Sequence, residues 1–284
     1  MSQIIDGKKI AERIKDKITK EIFNTKIHPN LAIVLVGEKK DSKIYVNLKE
    51  KEAKKVGIDT HSYKCNENSS EKEILEIINY LNNDSLIDAI LVQLPLPSHI
   101  NADKIIQSIK PEKDVDRFNK KNIIEDIKNE NLLPPVYTVI LEMLKDINCK
   151  IKNKNICILS NSDIFGKNLV NLLKKHQAKV ELSKKGHKDL KEKTKRADIL
   201  ISALGEANFV TKDMIKKDAV VIDVGINEKE GKIVGDVDFH NVEDKTSFIS
   251  PVPGGVGPLT IAMTFENTLK LYKRNKQPKT KKEQ

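Results

Sequence analysis

Four polar residues in the first half of the chain could form an acid–base site: Tyr45, Lys49, Gln93 and Asp116. Tyr45 and Lys49 are four residues apart, so on a helix both side chains project from one face. Gln93 directly follows an apolar run, where its amide needs hydrogen-bond partners. A lysine drawn into a partly buried cleft has a lowered pKa and can exchange protons near neutral pH. We interpret Lys49 as a candidate proton donor and acceptor that Gln93 orients.

The same residues also have plainer interpretations. A tyrosine and a lysine at this spacing commonly lie on a helix surface, and Asp114 and Asp116 could simply cap a turn. The carboxylate of Asp116 could instead accept hydrogen bonds from an amino-substituted heterocycle, which suits a pterin ring. The choice depends on whether the fold brings these residues together.

A second candidate site follows the apolar run 156–159, where a polar turn, 160–166, precedes a helix. This is the layout of a dinucleotide-binding turn, in which phosphates lie at the helix N-terminus. The turn has a single glycine, so a similar turn with no bound nucleotide is an equal alternative. After the next strand, Lys184 and Lys185 stand where an NAD-binding protein would have a carboxylate. Cations there favour a 2′-phosphate, so we expect NADP rather than NAD.

Two later apolar strands end in glycine, and their backbones could approach the two halves of such a cofactor. The acidic motif 235–238 lies beyond them and could simply cap a turn. The predicted cofactor-binding residues are Ser160, Asn161, Ser162, Gly166, Lys184, Lys185, Gly205, Gly225 and Ile226.

The segment 250–260 contains three prolines and three glycines. Proline fixes φ and glycine permits positive φ, so we expect a rigid, shaped loop without regular structure. A turn between domains is the alternative. An apolar helix is predicted to follow over 260–272.

The elements that must position these residues alternate between helix and strand. Glycine at position 57 is expected to end the second helix. The β-α-β-α-β order implies a parallel sheet with crossover helices. The predicted elements of the first half are helices over 7–23, 42–56 and 71–81 and strands over 31–36, 60–63 and 89–92.

The second half is also predicted to be α/β, beyond a polar boundary over 120–133. Its predicted elements are helices over 136–147 and 165–176 and strands over 155–159, 179–182, 199–202 and 219–224. The chain has 284 residues and no Trp, so its core must be aliphatic. Three cysteines without metal-ligand spacing favour a cytoplasmic protein, and no membrane segment is expected.

The formal net charge is +10, and residues 270–284 supply +6 of it, from seven Lys or Arg against one Glu. We expect a disordered basic tail over 273–284 that makes at most non-specific contact with nucleic acid.

These motifs resemble the methylenetetrahydrofolate dehydrogenase/cyclohydrolase family. Its Ser-x-x-Tyr-Val-x-x-Lys-x-Lys segment is matched over 42–51, and Val-Gln-Leu-Pro-Leu-Pro is matched over 92–97. Its Lys-Asp-Val-Asp motif and its Pro-Val-Pro-Gly-Gly-Val-Gly-Pro signature are matched over 113–116 and 251–258. The resemblance implies that Tyr45 stacks on folate, Lys49 is the catalytic lysine, Gln93 is its partner and Asp116 anchors the pterin. It also implies substrate contacts at Pro253, Gly254 and Gly255.

The resemblance further implies two α/β domains. A parallel β-α-β folate-binding domain would comprise 1–118 plus 258–272, with the C-terminal helix returning to it, and a Rossmann-like NADP-binding domain would comprise 119–257. The implied enzyme oxidises 5,10-methylenetetrahydrofolate with NADP and hydrolyses the methenyl product to 10-formyltetrahydrofolate, without a metal. A homodimer and a role in one-carbon metabolism and purine biosynthesis are implied as well.

The sequence departs from the family pattern mainly around the nucleotide turn. Ser160 and Asn161 replace the family's Gly-Arg, the linker 134–139 loses a threonine and a glycine, and Arg117 replaces the glycine that follows Asp116. We hypothesise that the first two departures weaken NADP binding and leave the cyclohydrolase better preserved. A non-catalytic, basic RNA-binding protein on the same fold is the alternative from another class.

Overall fold

The computed structural model describes residues 2–276, apart from the side chain of Asp41. The chain forms two compact α/β units. Their boundaries fall after Glu12, between Pro135 and Val136, and after Thr260. The first and last helices therefore each contribute to both units.

One unit, formed by 13–135 and the chain from residue 261, contains a three-stranded parallel sheet. Its strands, in spatial order, are β3 (Asp59–Cys65), β2 (Asn30–Val36) and β4 (Ala89–Val92). The predicted parallel order is confirmed. Gly57 ends the second helix with a φ of 85°, in the left-handed region that favours glycine. The elements are α1 (Gly7–Thr25), β2 (Asn30–Val36), α2 (Lys40–Val56), β3 (Asp59–Cys65), α3 (Glu71–Asn83), β4 (Ala89–Val92), α4 (Ala102–Ser108) and α5 (Lys120–Asn129).

The other unit contains a six-stranded parallel sheet. Its strands, in spatial order, are β1 (Gln3–Ile4), β11 (Thr246–Ile249), β8 (Ala219–Asp223), β7 (Ile199–Ala203), β5 (Asn155–Ser160) and β6 (Lys179–Ser183). Its core is aliphatic, as the composition predicts. The elements are β1 (Gln3–Ile4), α6 (Pro135–Asp146), β5 (Asn155–Ser160), α7 (Asp163–Lys175), β6 (Lys179–Ser183), α8 (Leu190–Arg196), β7 (Ile199–Ala203), β8 (Ala219–Asp223), the antiparallel hairpin β9 (Asn227–Lys229) and β10 (Lys232–Val234), α9 (Phe239–Val242), β11 (Thr246–Ile249) and α10 (Val256–Lys276).

The expectation that 250–260 lacks regular structure is wrong for its second half, because α10 begins at Val256. Pro258 lies in the first turn of that helix, where a missing N–H costs no intrahelical hydrogen bond. The preceding residues do form a tight turn, in which Gly254 has a φ of 114°.

The predicted domain ranges differ from the observed units in four places, the smallest of which is 258–260, predicted with the first domain but observed with the six-stranded sheet. Residues up to Glu12 belong with the six-stranded sheet, because β1 pairs with β11. Residues 119–135 belong with the three-stranded sheet, since the predicted polar boundary contains α5 with four buried residues. The predicted tail starts at Lys273, yet 273–276 are the last turn of α10, and 277–284 lie outside the described residues.

None of the helices within 2–276 is long and apolar enough to cross a bilayer.

Candidate active site

Lys49 and Gln93 lie together at the carboxyl edge of the three-stranded sheet. Lys49 is on α2, which follows β2, and Gln93 directly follows the neighbouring strand β4. The Lys49 ammonium donates a hydrogen bond of 2.8 Å to Gln93 Oε1. Gln93 Nε2 donates to the carbonyl of Leu94 at 2.7 Å, which fixes the amide with its oxygen towards the lysine. Gln93 is therefore the hydrogen-bond acceptor, and its fixed oxygen sets the position of the Lys49 ammonium.

Burial shifts the pKa values of Lys49 and Asp116 in opposite directions, each away from its ordinary value. Lys49 is only 9% exposed, and this burial lowers its pKa, while the negative charge of Asp116 partly opposes the shift. Burial raises the pKa of Asp116 to about 6, against the opposing effect of Lys49. Asp116 can therefore exchange a proton close to neutral pH, and Lys49 loses its proton more easily than an exposed lysine does. Tyr45 lies one turn earlier on the same helix and is half-buried.

The backbone beside β4 explains why Asp116 reaches this edge. Ile90 donates to the Lys113 carbonyl at 2.7 Å and accepts from the Val115 N–H at 3.4 Å, so 113–115 runs parallel to the strand. The buried Asp114 carboxylate then accepts from the backbone N–H groups of Arg117 and Asn119, at 2.9 and 2.8 Å. Asp114 is thus a turn cap, whereas Asp116 lies near Lys49.

Arg117 lies in the turn that follows Asp116 and holds it with its side chain. Its φ is 60°, in the left-handed region, and its side chain is 1% exposed. The guanidinium forms a two-point pair with Asp126 on α5, at 2.7 and 2.9 Å, and donates to the Pro111 carbonyl at 2.6 Å. Arg117 was predicted as a departure from the family pattern, but its partner was not predicted, because Asp126 lies in the segment 120–133 that was expected to be a polar boundary.

Asn267 supports the same segment from α10 and was also missed. Its Nδ2 donates to the carbonyls of Val115 and Leu133, at 3.0 and 2.9 Å. A polar residue in the middle of an apolar helix was the available signal, since such a residue needs buried partners.

The nine predicted cofactor residues follow four neighbouring parallel strands, β6, β5, β7 and β8, and thus share the carboxyl edge of the six-stranded sheet. The turn after β5 satisfies part of its own backbone with side chains. Ser160 Oγ accepts from the Ser162 N–H at 3.1 Å, and Ser162 Oγ caps α7 by accepting from the Phe165 N–H at 3.3 Å. Asn161 Oδ1 accepts from the Lys185 N–H at 3.2 Å. These side-chain acceptors stabilise the turn by pairing backbone N–H groups within and beside it.

Gly166 lies close to β6: a Cβ at this position would lie 2.6 Å from Leu182 Cδ1, so the leucine side chain would have to move. It lets α7 approach β6, as the third glycine of a dinucleotide-binding turn does. Tyr137, in the linker that departs from the family pattern, contacts the α7 turn beside it. The buried Tyr137 hydroxyl donates to the Phe165 carbonyl at 2.8 Å, and their rings pack edge to face with centroids 5.6 Å apart.

Lys184 and Lys185 are held by carboxylates. Lys184 pairs with Asp163 Oδ1 at 2.6 Å, and Lys185 pairs with Glu206. Lys167 also pairs with Asp163, at 3.0 Å, so three lysines face two carboxylates and one positive charge is in excess.

Ser183, at the end of β6, was missed by the sequence analysis. Its hydroxyl is buried and has no hydrogen-bond partner among the described residues. A buried polar group without a partner is rare, so this hydroxyl is a candidate for a contact that the protein chain alone does not supply. The available signal was a hydroxyl residue that ends a strand directly before two lysines.

Gly205 and Gly225 differ in what requires them. Gly205 has a φ of 73°, and a Cβ there would meet no atom within 4 Å, so the position is open. At Gly225 a Cβ would lie 2.1 Å from Asp236 Oδ1, so the protein itself needs this glycine. The structure thus gives no sign that a cofactor requires it. Ile226, the next residue, is 44% exposed.

Pro253, Gly254 and Gly255 belong to the unit of the six-stranded sheet. The Gly254 carbonyl accepts from the Lys8 N–H at 3.2 Å, and the Gly255 N–H donates to the Pro251 carbonyl at 2.8 Å. These bonds hold the turn against the start of α1. Among residues 2–276, no three or more His, Cys, Asp or Glu side chains are grouped so as to hold a metal ion.

A lysine site on one α/β unit and a nucleotide-binding turn on a Rossmann-like parallel sheet define a class of two-unit α/β enzymes with a nucleotide cofactor. Two domain families match the chain: "Tetrahydrofolate dehydrogenase/cyclohydrolase, catalytic domain" over residues 5–116 and "Tetrahydrofolate dehydrogenase/cyclohydrolase, NAD(P)-binding domain" over residues 134–276. The chain therefore belongs to the tetrahydrofolate dehydrogenase/cyclohydrolase family, and the predicted family and fold class are confirmed.

Relatives match over nearly the whole chain. "Bifunctional protein FolD" of Sulfurihydrogenibium sp. is 46% identical over 278 residues, which are 95% of this chain and 98% of that protein. The crystal structure of the bifunctional FolD enzyme of Campylobacter jejuni has a TM-score of 0.90 and 40% identity, and the match covers 96% of this chain and 99% of that one. The Trypanosoma brucei enzyme, complexed with NADP cofactor and inhibitor, has a TM-score of 0.91 and 32% identity, and the match covers 98% and 99% of the two chains.

Proposed function

We propose that this chain oxidises 5,10-methylenetetrahydrofolate with NADP and then hydrolyses the 5,10-methenyl product to 10-formyltetrahydrofolate. The observation that carries the proposal is the hydrogen bond of 2.8 Å from Lys49 to Gln93, with the charge of Asp116 acting on the same ammonium. Membership of a dehydrogenase/cyclohydrolase family and full-length matches to bifunctional relatives support it.

In the hydrolytic step, Lys49 accepts a proton from the attacking water. The water oxygen adds to the methenyl carbon as one of its protons passes to the Lys49 amine. The bond from that carbon to N5 then breaks, the added hydroxyl becomes the formyl oxygen, and its remaining proton passes to N5. A lowered lysine pKa increases the fraction of the neutral amine that can accept the water proton. Gln93 keeps the amine in place. We assign Asp116 to the amino group of the pterin and Tyr45 to the face of the folate ring.

The residues at the carboxyl edge of the six-stranded sheet fit NADP. When bound, NADP accepts the hydride from the methylene carbon. The unpaired Ser183 hydroxyl offers a hydrogen bond at the end of β6, where a Rossmann-like sheet places the ribose. Lys184 and Lys185 beside it favour a 2′-phosphate. The α7 N-terminus, capped by Ser162, lies where the pyrophosphate binds.

The altered turn bears on how tightly NADP binds. The N–H groups of Ser162 and Phe165 already have side-chain acceptors within the turn. A phosphate must replace these acceptors or use the remaining donors, so we expect weaker NADP binding than a glycine-rich turn gives. The cyclohydrolase site does not depend on these groups and should be the better preserved activity.

Paired assays on one sample test the proposal. NADP reduction with methylenetetrahydrofolate and the decay of methenyltetrahydrofolate absorbance are measured for the wild type, Lys49→Ala and Lys54→Ala. Lys54 is an exposed lysine on the same helix and serves as the matched control. We expect Lys49→Ala to lower the hydrolysis kcat by about 10²–10⁴-fold and Lys54→Ala to change it less than about twofold. Hydrolysis without NADP reduction would identify a cyclohydrolase with a lost cofactor site. Neither activity in a folded sample would refute the proposal.

We further propose that the enzyme is a homodimer in the cytoplasm. Light scattering after size-exclusion chromatography measures the first point, because a dimer has about twice the chain mass of 32.1 kDa.

A further inference from the structure

Asp236 is the most heavily hydrogen-bonded carboxylate near the predicted cofactor residues. Its Oδ2 accepts from the Ser202 hydroxyl at 2.8 Å and from the Leu204 N–H at 2.7 Å. Its Oδ1 accepts from the Glu206 N–H at 2.9 Å and from Asn227 Nδ2 at 3.0 Å. The side chain is fully buried. One carboxylate thus holds the end of β7, the loop after it and the start of β9.

Asp223, at the end of β8, makes the complementary contacts. Its Oδ1 accepts from the backbone N–H groups of Gly225 and Asp236, at 2.9 and 3.1 Å, and its Oδ2 accepts from the Val237 N–H at 2.8 Å. These bonds fix the backbone of the very segment that carries Asp236. The two aspartates therefore connect β8, the loop after β7 and the chain after β10.

Two glycines make room for this arrangement. A Cβ on Gly225 would lie 2.1 Å from Asp236 Oδ1, and a Cβ on Gly235 would lie 1.9 Å from Asp223 Oδ2. Asp236 thus occupies the space that a side chain at position 225 would need, and Asp223 occupies the space that a side chain at position 235 would need. Neither glycine has a positive φ, so close approach of the carboxylates is the reason for both.

The loops that these carboxylates hold are the ones predicted to contact the cofactor. Gly205 lies between Leu204 and Glu206, whose N–H groups both donate to Asp236. Ile226 lies between Gly225 and Asn227, which are fixed by Asp223 and Asp236 respectively. The open backbone at Gly205 and the exposed Ile226 side chain are therefore set by buried carboxylates that do not themselves face solvent.

We propose that Asp236, together with Asp223, is a positioning residue for the NADP site. It holds the loops of Gly205 and Ile226 in the geometry that binds the cofactor. This inference rests on the proposed NADP-dependent function. Asp236 touches neither cofactor nor substrate in this role. It has no part in the hydrolytic step, so its loss should separate the two activities.

The test compares Asp236→Asn with Asp198→Asn. Asp198 is the matched control, because its carboxylate also accepts a backbone N–H, that of Asn155 at 2.9 Å, but at the amino end of the same sheet. In Asp236→Asn an amide NH₂ meets N–H or O–H donors, which breaks at least one bond to a charged acceptor. We expect the NADP Kd, measured by titration, to rise at least about tenfold. Cyclohydrolase kcat/KM should change less than about twofold, and Asp198→Asn should leave the Kd within about twofold.

A milder variant keeps the test decisive if Asp236→Asn does not fold. Asn227→Ala removes only the half-buried amide that donates to Asp236, and we expect a threefold or greater rise in NADP Kd, as a rough bound. An unchanged Kd in a folded variant, or an equal fall in both activities, would overturn the positioning role alone. A wild type that does not bind NADP would overturn the proposed NADP function together with this inference.

Discussion

Replacing Asp126 by asparagine should destabilise the protein by leaving a buried cation without its partner. Arg117 and Asp126 side chains are 1% and 7% exposed, and two bonds of 2.7 and 2.9 Å join them. Breaking a buried pair by removing one partner costs about 3–5 kcal/mol. The asparagine oxygen can still accept one bond, so the lower end, about 3 kcal/mol, is the expected loss in free energy of unfolding.

The double variant Arg117→Gly/Asp126→Asn should be much less affected. It removes the unpaired buried cation, which is the main cost of the single variant, and leaves the smaller cost of the space that the arginine side chain filled. Glycine also suits the φ of 60° at this position, and an L-residue there costs roughly 1–2 kcal/mol. We therefore expect the free energy of unfolding of the double variant to lie within about 1–2 kcal/mol of the wild-type value, although the double variant carries one substitution more than Asp126→Asn.

Urea unfolding followed by circular dichroism measures both variants. With a slope of about 2–3 kcal/mol/M, a loss of 3 kcal/mol moves the midpoint of Asp126→Asn down by about 1 M. The reasoning fails if the midpoint of Asp126→Asn stays within about 0.2 M of the wild type. It also fails if the double variant is as unstable as the single one, since the unpaired cation would then not be the cause.

Three further predictions concern single sites. Ser183→Ala should leave the free energy of unfolding within about 0.5 kcal/mol, because no described bond is lost, yet raise the NADP KM several-fold; an unchanged KM would remove Ser183 from the cofactor site. The KM for methylenetetrahydrofolate should rise as pH falls below about 6, where the Asp116 carboxylate gains a proton and loses acceptor capacity. Asp116→Asn should have a KM that is higher and flat from pH 5 to 8, and a wild-type KM flat over that range would contradict the role. Tyr137→Phe should cost about 1 kcal/mol in thermal unfolding, since it loses the bond to the Phe165 carbonyl but keeps the ring contact.

Strands and helices with strong apolar patterns could be predicted from the sequence almost to the residue. β4 was predicted over 89–92 and is observed as Ala89–Val92, and Gly57 ends α2 as expected. Lys49 and Gln93 were predicted as partners and do form a hydrogen bond. The prediction succeeded there because parallel strands bring their carboxyl ends to one edge, so sequence position alone places such residues together.

The parts that could not be predicted depend on buried polar contacts. α5 carries Asn122 and Asp126 on its buried face, so its helical pattern reads as polar surface until the partners in the preceding turn are known. Gly225 was predicted to end a strand and Asp236 lies in the acidic motif 235–238, but no periodicity shows that one fills the space beside the other. The hairpin of β9 and β10 was missed because each strand has three residues, too few for an alternating pattern.

The pairing of β1 with β11 has a consequence for biosynthesis. The hydroxyls of Ser2 and Thr246 lie 2.9 Å apart although 244 positions separate them. At a translation rate of about 5–20 residues per second, the first strand leaves the ribosome roughly 12–50 seconds before its partner. It must wait unpaired for that time on the nascent chain. A strand of two residues, Gln3–Ile4, offers few free backbone groups to other nascent chains, so its brevity protects the nascent protein from aggregation during translation.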